Sequence, residues 1–355
     1  MTLIYKIVLI ILVMGISFGS KFVFMATTNV VGETEPCGWK KKPLGGLARK
    51  ATVINDVKSE GVNPFIVDAG DLFFKDDGKT TPSLITPETI VESYNWMGCH
   101  AFSPGSKDFA LGRNFLEDLE NKSTFPYISC NIYSLDSKRL FEPYVEYEAD
   151  GTKIIIIGAA SSFNSDNILV TDPIKELELL VPMLKQSSSD FVLLLFNGSE
   201  VDMNRLQNSN INIDLVVRSK KKTRSSDGGT KRIPVYMAGD RGKYVYRIDV
   251  NWNKEGEIVD IPRQNSLIRL AKNRLNRMKK EGYTLEQLEE AYKDNPDALK
   301  KVLHYKSQIA DAEKKISSSS SSLNMEKIEL GKKVMDTPEV LAIVDRGIKR
   351  EKDGE

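Results

Sequence analysis

The sequence predicts an α/β fold, a layered β-sandwich flanked by helices, with a helical hairpin inserted near the C-terminus. Three observations carry that prediction. Short apolar segments rich in β-branched and aromatic residues recur from residue 21 to residue 239, and they are apolar on both faces. Segments with a 3.6-residue apolar period alternate with them. From Ser266 onward the strand pattern stops and charged helical stripes replace it. A sheet covered on both sides, with helices between consecutive strands, is a layered α/β domain.

The elements follow in order. KFVFMATT (21–28) is a strand. GGLARKATVINDVKSE (45–60) is a helix with Leu47, Ala51, Ile54 and Val57 on one face. PFIVDAGD (64–71) is an apolar strand ending in Gly-Asp, and TPETIVESYNWMG (86–98) is a helix opened by Thr86 and Pro87. AFSPG (101–105), FPYISCNIY (125–133), KIIIIGAA (153–160), DFVLLLFNG (190–198), IDLVVRS (213–219) and IPVYMAG (233–239) continue the strands, with a helix over Ile174–Gln186. GKYVYRIDVNW (242–252) alternates, and GEIVDI (256–261) follows a short turn, so the two predict an antiparallel hairpin at a sheet edge. The stripe Leu267, Leu270, Ala271, Leu275 and Met278, the break at Gly282-Tyr283, the capping box Thr284/Gln287 and the apolar positions Ala298 to Ile316 predict a charged helical hairpin. The expected organisation is a signal peptide or anchor at 1–19, a main domain at 20–265, the hairpin at 266–316, a flexible serine linker at 317–322, and a returning strand and C-terminal helix at 323–355, frayed at KREKDGE.

Charge is balanced at 50 basic and 49 acidic side chains, so any affinity for polyanions must be local. Lys6, the apolar run Ile7–Ile16 and the small residues Ser17, Gly19 and Ser20 have the form of a secretory signal, with an uncleaved anchor over residues 7–19 as the alternative. The chain is therefore expected to be exported, to the periplasm or the exterior. Three cysteines, Cys37, Cys99 and Cys130, leave room for one disulfide and one free thiol, and the pair is open.

The strand ends read TTNVVGE, DAGD, PGSKD, SCN, LLLFNG and VVRSKKK, and the carboxyl edge of an α/β sheet is where ligands bind. In order and spacing these blocks resemble the calcineurin-like metallophosphoesterases, 5′-nucleotidase branch. The likeness is carried by NVVGETEPCGWKKKPLGGLARKATVI (29–54), GD (70–71), GSKDF (105–109) after NWMGCHAFSP, SCNIY (129–133) and TPEVLAIVD (337–345). It covers most of residues 21–262 and returns at 324–349. The resemblance implies two divalent metals held by Asp, His and Asn, and phosphoester hydrolysis by a metal-bridging water.

This chain departs from that pattern residue by residue. The family's first Asp is Asn29 and its partner His is Val31. Asp71 keeps the bridging carboxylate. The third block's Asn is Ser106 and its His is Lys107, beside a retained Asp108. The next metal His is Asn197, and the final pair of His is Lys220 and Lys222. The whole chain has two histidines, His100 and His304, and neither falls at a ligand position. A protonated lysine has no lone pair to give a metal. The sequence thus predicts a degenerate site with no metal and no cofactor, and a pseudoenzyme acting as a binding or scaffold module. Lys107, Lys220 and Lys222 are its candidate anion-binding residues, for phosphate or a nucleotide. The rival expectation is an active phosphoesterase with atypical ligands drawn from Asn29, Asp71, Asp108, Asn131 and Asn197.

Around the site, the basic loop RSKKKTRSSDGGTKR (218–232) lacks aromatics for base stacking, which argues against sequence-specific nucleic acid. KKKPLGG (40–46) fits a tight turn as well as a phosphate contact, and Trp39 fits rim packing. Residues 266–316 are the expected contact surface for an envelope protein partner.

Overall fold

The computed structural model describes residues 19–38, 42–76, 83–185, 190–219, 233–253 and 257–354. The chain runs through β1 (Ser20–Thr27), β2 (Pro36–Cys37), β3 (Leu44–Gly45), α1 (Leu47–Ser59), β4 (Phe65–Asp68), α2 (Ile85–Met97), β5 (Ala101–Phe102), a 3-10 turn (Ser106–Phe109) and α3 (Gly112–Lys122). It continues through β6 (Ile132–Ser134), β7 (Tyr144–Ala149), β8 (Thr152–Ala160), β9 (Ile168–Val170), α4 (Pro173–Leu184), β10 (Phe191–Asn197), α5 (Glu200–Asn208), β11 (Leu215–Ser219) and β12 (Val235–Tyr236). The last elements are β13 (Tyr244–Trp252), β14 (Ile258–Asp260), α6 (Ile261–Arg277), α7 (Leu288–Ala291), α8 (Pro296–Ser318), β15 (Ser321–Glu329) and α9 (Pro338–Asp353).

Two sheets stack face to face, one in the order β14-β15-β13-β1-β4-β5 and the other β12-β11-β10-β8-β7. The doubly apolar strands explain this. The inward side chains of β1 and β4 (Phe22, Phe24, Phe65, Val67) meet Ile154, Ile156, Phe191, Leu193 and Leu215 of the second sheet in one buried cluster. Phe191 stands edge-on to both Phe22 (5.2 Å) and Trp252 (5.3 Å). The outward side chains of the first sheet (Val23, Met25, Ile66) pack on α1, α2 and α9. Those of the second (Ile155, Ile157, Val192, Leu194) pack on α4 and α5. The layered sandwich flanked by helices is the predicted fold.

Several local expectations change. The segment 256–261 does not return as an antiparallel hairpin beside β13. β15 lies between them, antiparallel to β13 (Ile248 opposite Met325) and parallel to β14 (Val259 opposite Ser322). The alternating β13 is a strand two places in from the β14 edge rather than an edge strand. The serine run is no linker: Ser317 and Ser318 complete α8, and Ser321 and Ser322 open β15. The tail expected to fray stays helical to Asp353, tied to α2 by Arg350 on Glu88 (3.1 Å) and by an Arg346–Glu92 pair. α2 is capped by Ser83, whose Oγ accepts the N–H groups of Ile85 and Thr86, rather than by Thr86. All three cysteines are free thiols, Cys99 and Cys130 within the core. The signal segment lies outside the described residues, among which no helix is long and apolar enough to cross a membrane.

Candidate functional site

The carboxyl ends of β1, β4 and β5 meet those of β10 and β11 where the two sheets face each other. Two of the loops are zipped together by backbone: Asn29 N–H donates to Gly70 O (3.0 Å), Val31 N–H to Asp71 O (2.9 Å) and Gly32 N–H to Leu72 O (2.9 Å). The second sheet is tied to the first by Ser219, whose Oγ donates to the Ala69 carbonyl at 2.5 Å. Asn197, level with Ser219 in the β10–β11 register, donates its Nδ2 to that same hydroxyl (2.8 Å).

Three sequence-selected positions share a backbone state. Asn29 (φ 52°), Val31 (φ 51°) and Asp71 (φ 53°) are all left-handed. Asn and Asp tolerate that region, whereas a β-branched residue there is a strained outlier. Val31 is buried as well. At Val31 the left-handed turn therefore carries a buried apolar side chain.

Asp108 does something different from Asp71. It is fully buried, and its carboxylate accepts four backbone N–H groups: Asp71 (2.9 Å), Leu72 (2.8 Å), Phe73 (2.9 Å) and Gly105 (2.8 Å). It clamps the β4 loop to the β5 loop. Burial and the adjacent Asp71 carboxylate push its pKa up to about 7, against those N–H donors. Asp71 accepts the Lys107 backbone N–H at 3.3 Å. Gly105 lies between the two halves of the site. A Cβ there would collide with the Asn197 amide and come 2.5 Å from Asp71 Oδ1.

The donor set can be tested against a pair of divalent metals. Asp108 has its lone pairs on backbone N–H groups. Asn131 is saturated, giving Nδ2 to Ala160 O (2.7 Å) and Thr171 O (2.8 Å) and accepting from Ala160 N (3.0 Å) through Oδ1. Asn29 Nδ2 donates to Gly239 O and Thr28 Oγ1 (both 3.1 Å). Val31 offers no donor. Among the described residues no three His, Cys, Asp or Glu side chains gather in a group fit to hold a metal. One further buried acceptor, Asn197 Oδ1, has no hydrogen-bond partner among the described residues. That set does not fit two metals. Lys107 is half-buried, and its ammonium makes no ion pair or hydrogen bond among the described residues. Lys220, Lys222 and the loop to residue 232 lie outside the described residues, as does Trp39.

Ser106 lines a cavity of about 650 Å³ with Phe109, Phe163, Asn164 and Asp166. At the other rim Arg241 joins three features: its N–H donates to Asn29 O (2.7 Å), its guanidinium holds Glu33 (2.7 Å from Nε), and its carbonyl faces Cys37 Sγ at 4.0 Å. The KKKPLGG glycines are needed for packing. Gly46 has φ 97°, and a Cβ would press the Pro36 ring at 3.0 Å. Neither histidine joins the site. His100 Nδ1 accepts Ile66 N–H (3.1 Å), with its ring between Phe65 and Tyr147, and burial lowers its pKa. His304 is exposed on α8.

Sequence reasoning missed the network beneath the cleft. Lys50 is fully buried on the inner face of α1 and donates to Thr27 Oγ1 (2.8 Å). Thr27 donates to Asp68 Oδ2 (2.5 Å), which also accepts Tyr94 OH (2.8 Å), while Gly70 N–H bonds Oδ1 (3.0 Å). Lys50 Nζ also sits 3.8 Å above the Tyr94 ring. Burial lowers the Lys50 pKa to about 8 although Asp68 pulls it upward, and burial raises that of Asp68. A lysine one turn before Ile54, within the apolar stripe, was the available signal.

No known family's sequence profile matches the chain. A protein named UshA from Yersinia enterocolitica is 28% identical over 144 residues, which are 39% of this chain and 25% of that protein. The structure of a 5′-nucleotidase precursor from Thermus thermophilus superposes with a TM-score of 0.63 at 14% identity, covering 94% of this chain and 59% of its own. The calcineurin-like phosphoesterase YfkN from Bacillus subtilis superposes with a TM-score of 0.56 at 19% identity, over 67% of this chain and 86% of its own. The chain spans less than half the length of the curated relatives it matches, from 20% to 44%.

Proposed function

We propose that this chain, a relative of the 5′-nucleotidases with the calcineurin-like phosphoesterase fold, is an exported, metal-free binding module that retains an anion pocket at the old catalytic edge and does not hydrolyse phosphoesters. One observation supports the reading: left-handed turns and zipped loops shape the strand-end edge, yet the side chains there are a poor set for metals. Val31 is apolar, Asp108 is consumed by four N–H groups, and Lys107 brings a positive charge where the family resemblance places a histidine.

Lysine suits an anion because its ammonium is a compact point charge with three donors. In this reading Lys107, Lys220 and Lys222 hold phosphate or the phosphate of a nucleotide, and unpartnered Asn197 Oδ1 accepts a hydroxyl or protonated phosphate oxygen. Residues 266–316 provide the contact surface. The apolar run Ile7–Ile16 supports export.

The test is thermal unfolding with millimolar inorganic phosphate or AMP, beside a hydrolysis assay on AMP and a generic phosphodiester. The expected result is a higher melting temperature with ligand, lost in Lys220→Ala and reduced in Lys107→Ala, with no turnover. Turnover abolished by Asp71→Ala would establish the rival reading, an active phosphoesterase with an atypical site. No shift with either ligand removes the anion pocket from the proposal.

A further inference from the structure

The helical hairpin carries a surface that the cleft does not explain. From Ile261 to Lys280 the chain holds seven basic side chains and no acidic one, in a protein whose net charge is +1. α6 presents two stripes. Gln264, Ile268, Ala271, Leu275 and Met278, spaced four, three, four and three, face inward; Ala271 and Leu275 are buried, and Leu275 and Met278 join Leu288, Val302 and Ile309 in a small core of the hairpin's own. One position back, with the same spacing, run Arg263, Leu267, Leu270, Arg274 and Arg277. Leu267 is 42% exposed and Leu270 56% exposed.

The guanidinium groups of Arg269, Arg274 and Arg277 make no ion pair or hydrogen bond among the described residues. Lys272 has only a 3.9 Å approach to Glu313, with both side chains exposed. Lys280, by contrast, is turned inward, donating to Ala291 O (2.6 Å) over the Tyr292 ring. A merely solvated helix would carry acids three or four residues from its bases. Here acids stand at that spacing only at the two ends, Asp260 before Arg263 and Glu281 after Arg277; between them α6 carries none, and it sets two leucines between its arginines.

We infer that α6 is a docking face for an anionic lipid bilayer, lying parallel to the surface with Leu267 and Leu270 in the headgroup boundary and Arg269, Arg274 and Arg277 on the phosphates. Charge complementarity selects a polyanion. The exposed leucines select a lipid surface over nucleic acid, which has no use for them, and α6 has no aromatic residue on which a base could stack. Long basic side chains keep their charges in the headgroup layer while their stems cover apolar surface. The inference stands apart from the anion pocket, since it uses no residue of the cleft.

The experiment is co-sedimentation of the full chain with vesicles of phosphatidylcholine alone and of phosphatidylcholine with 30% phosphatidylglycerol. Each cation near the surface contributes roughly fivefold, so three give a preference of about a hundredfold for the anionic vesicles. That preference should collapse in 0.5 M salt. It should vanish in the triple variant Arg269→Glu, Arg274→Glu, Arg277→Glu, and it should fall about tenfold in Leu267→Ser with Leu270→Ser. These residues are exposed, and circular dichroism of each variant checks that α6 still folds. Equal binding to both vesicles overturns the inference, since the apolar run at 7–16 would then account for it. So does a preference that survives charge reversal, and so does binding to polyglutamate but not to anionic vesicles, which would make the partner an acidic protein.

Discussion

At the residue scale, Asp108 and Val31 are two cleft positions whose roles can be tested one at a time. Asp108 was legible in sequence as a retained family position, but its role was not, because nothing in GSKDF says that four N–H groups converge on it. If it is a clamp, Asp108→Asn places an NH2 donor against N–H donors and costs about 3 kcal/mol in urea unfolding. A change below 0.5 kcal/mol, roughly the level of a neutral surface substitution, would refute the clamp. Val31 gives a test with opposing terms. Its left-handed backbone costs about 1–3 kcal/mol, which glycine relieves. Losing the buried side chain costs about 1.5–3 kcal/mol and glycine's chain entropy up to about 1. Val31→Gly should therefore destabilise by about 1–2 kcal/mol. Val67→Gly, in β4 with no such strain, should cost about 4. Equal losses at the two positions would mean that the Val31 turn stores nothing.

At the element scale, what the sequence made legible was periodicity, and what it hid was pairing. Most long apolar strands and striped helices lie where their pattern puts them, because burial on one or two faces writes a local period; FPYISCNIY does not, making isolated bridges at Tyr127 and Ile128 and only the short β6. Which strand lies beside which is set by distant residues. β15 slots between β13 and β14 although some sixty residues, including the hairpin, separate it from them. Composition likewise suggested that the serines would be flexible. In fact they finish one element and begin the next, since a short polar side chain is compatible with both. The same long-range logic governs α9. Gly347 sits where α9 crosses α2, and a Cβ there would overlap the Thr89 hydroxyl and touch Thr89 Cγ2 at 3.0 Å. Alanine is favoured over glycine by about 1 kcal/mol inside a helix. Overpacking costs about 1–3 kcal/mol. Gly347→Ala should thus lower stability by about 1 kcal/mol despite its helix propensity, and Gly347→Ala with Thr89→Ser should recover part of the loss. Stabilisation by the single change would show that the crossing has room.

At the scale of the whole molecule, the two sheets are held in register over a buried polar network, and that network has a pH signature. The Lys50 pKa is about 8 in the folded chain and 10.5 in the reference state. Between those values the unfolded chain binds a proton that the folded chain has released, so the free energy of unfolding must rise with pH across that window. Burial also raises the Cys99 and Cys130 pKa values from 9.0 to about 12 and that of Tyr94 above 10, which act in the opposite sense from about pH 9 upward and close the window there. Urea unfolding at intervals from pH 7.5 to pH 9 should show stability climbing by about 1 kcal/mol, at 1.36 kcal/mol per pKa unit. In Lys50→Met the climb should be absent. The variant should also be several kcal/mol weaker at pH 7.5, because Asp68 keeps its burial and loses the cation that Thr27 relays to it. A flat profile in the native chain would mean that Lys50 is hydrated rather than sealed under the cleft. The same titration tests for metal binding. Ligation of two divalent ions would add stability that grows with free metal, about 4 kcal/mol at a thousand times the dissociation constant. Curves recorded with a chelator and with millimolar manganese should therefore coincide at every pH. A manganese-dependent gain that disappears in Asp71→Ala would return the cleft to the metal-binding members of its fold.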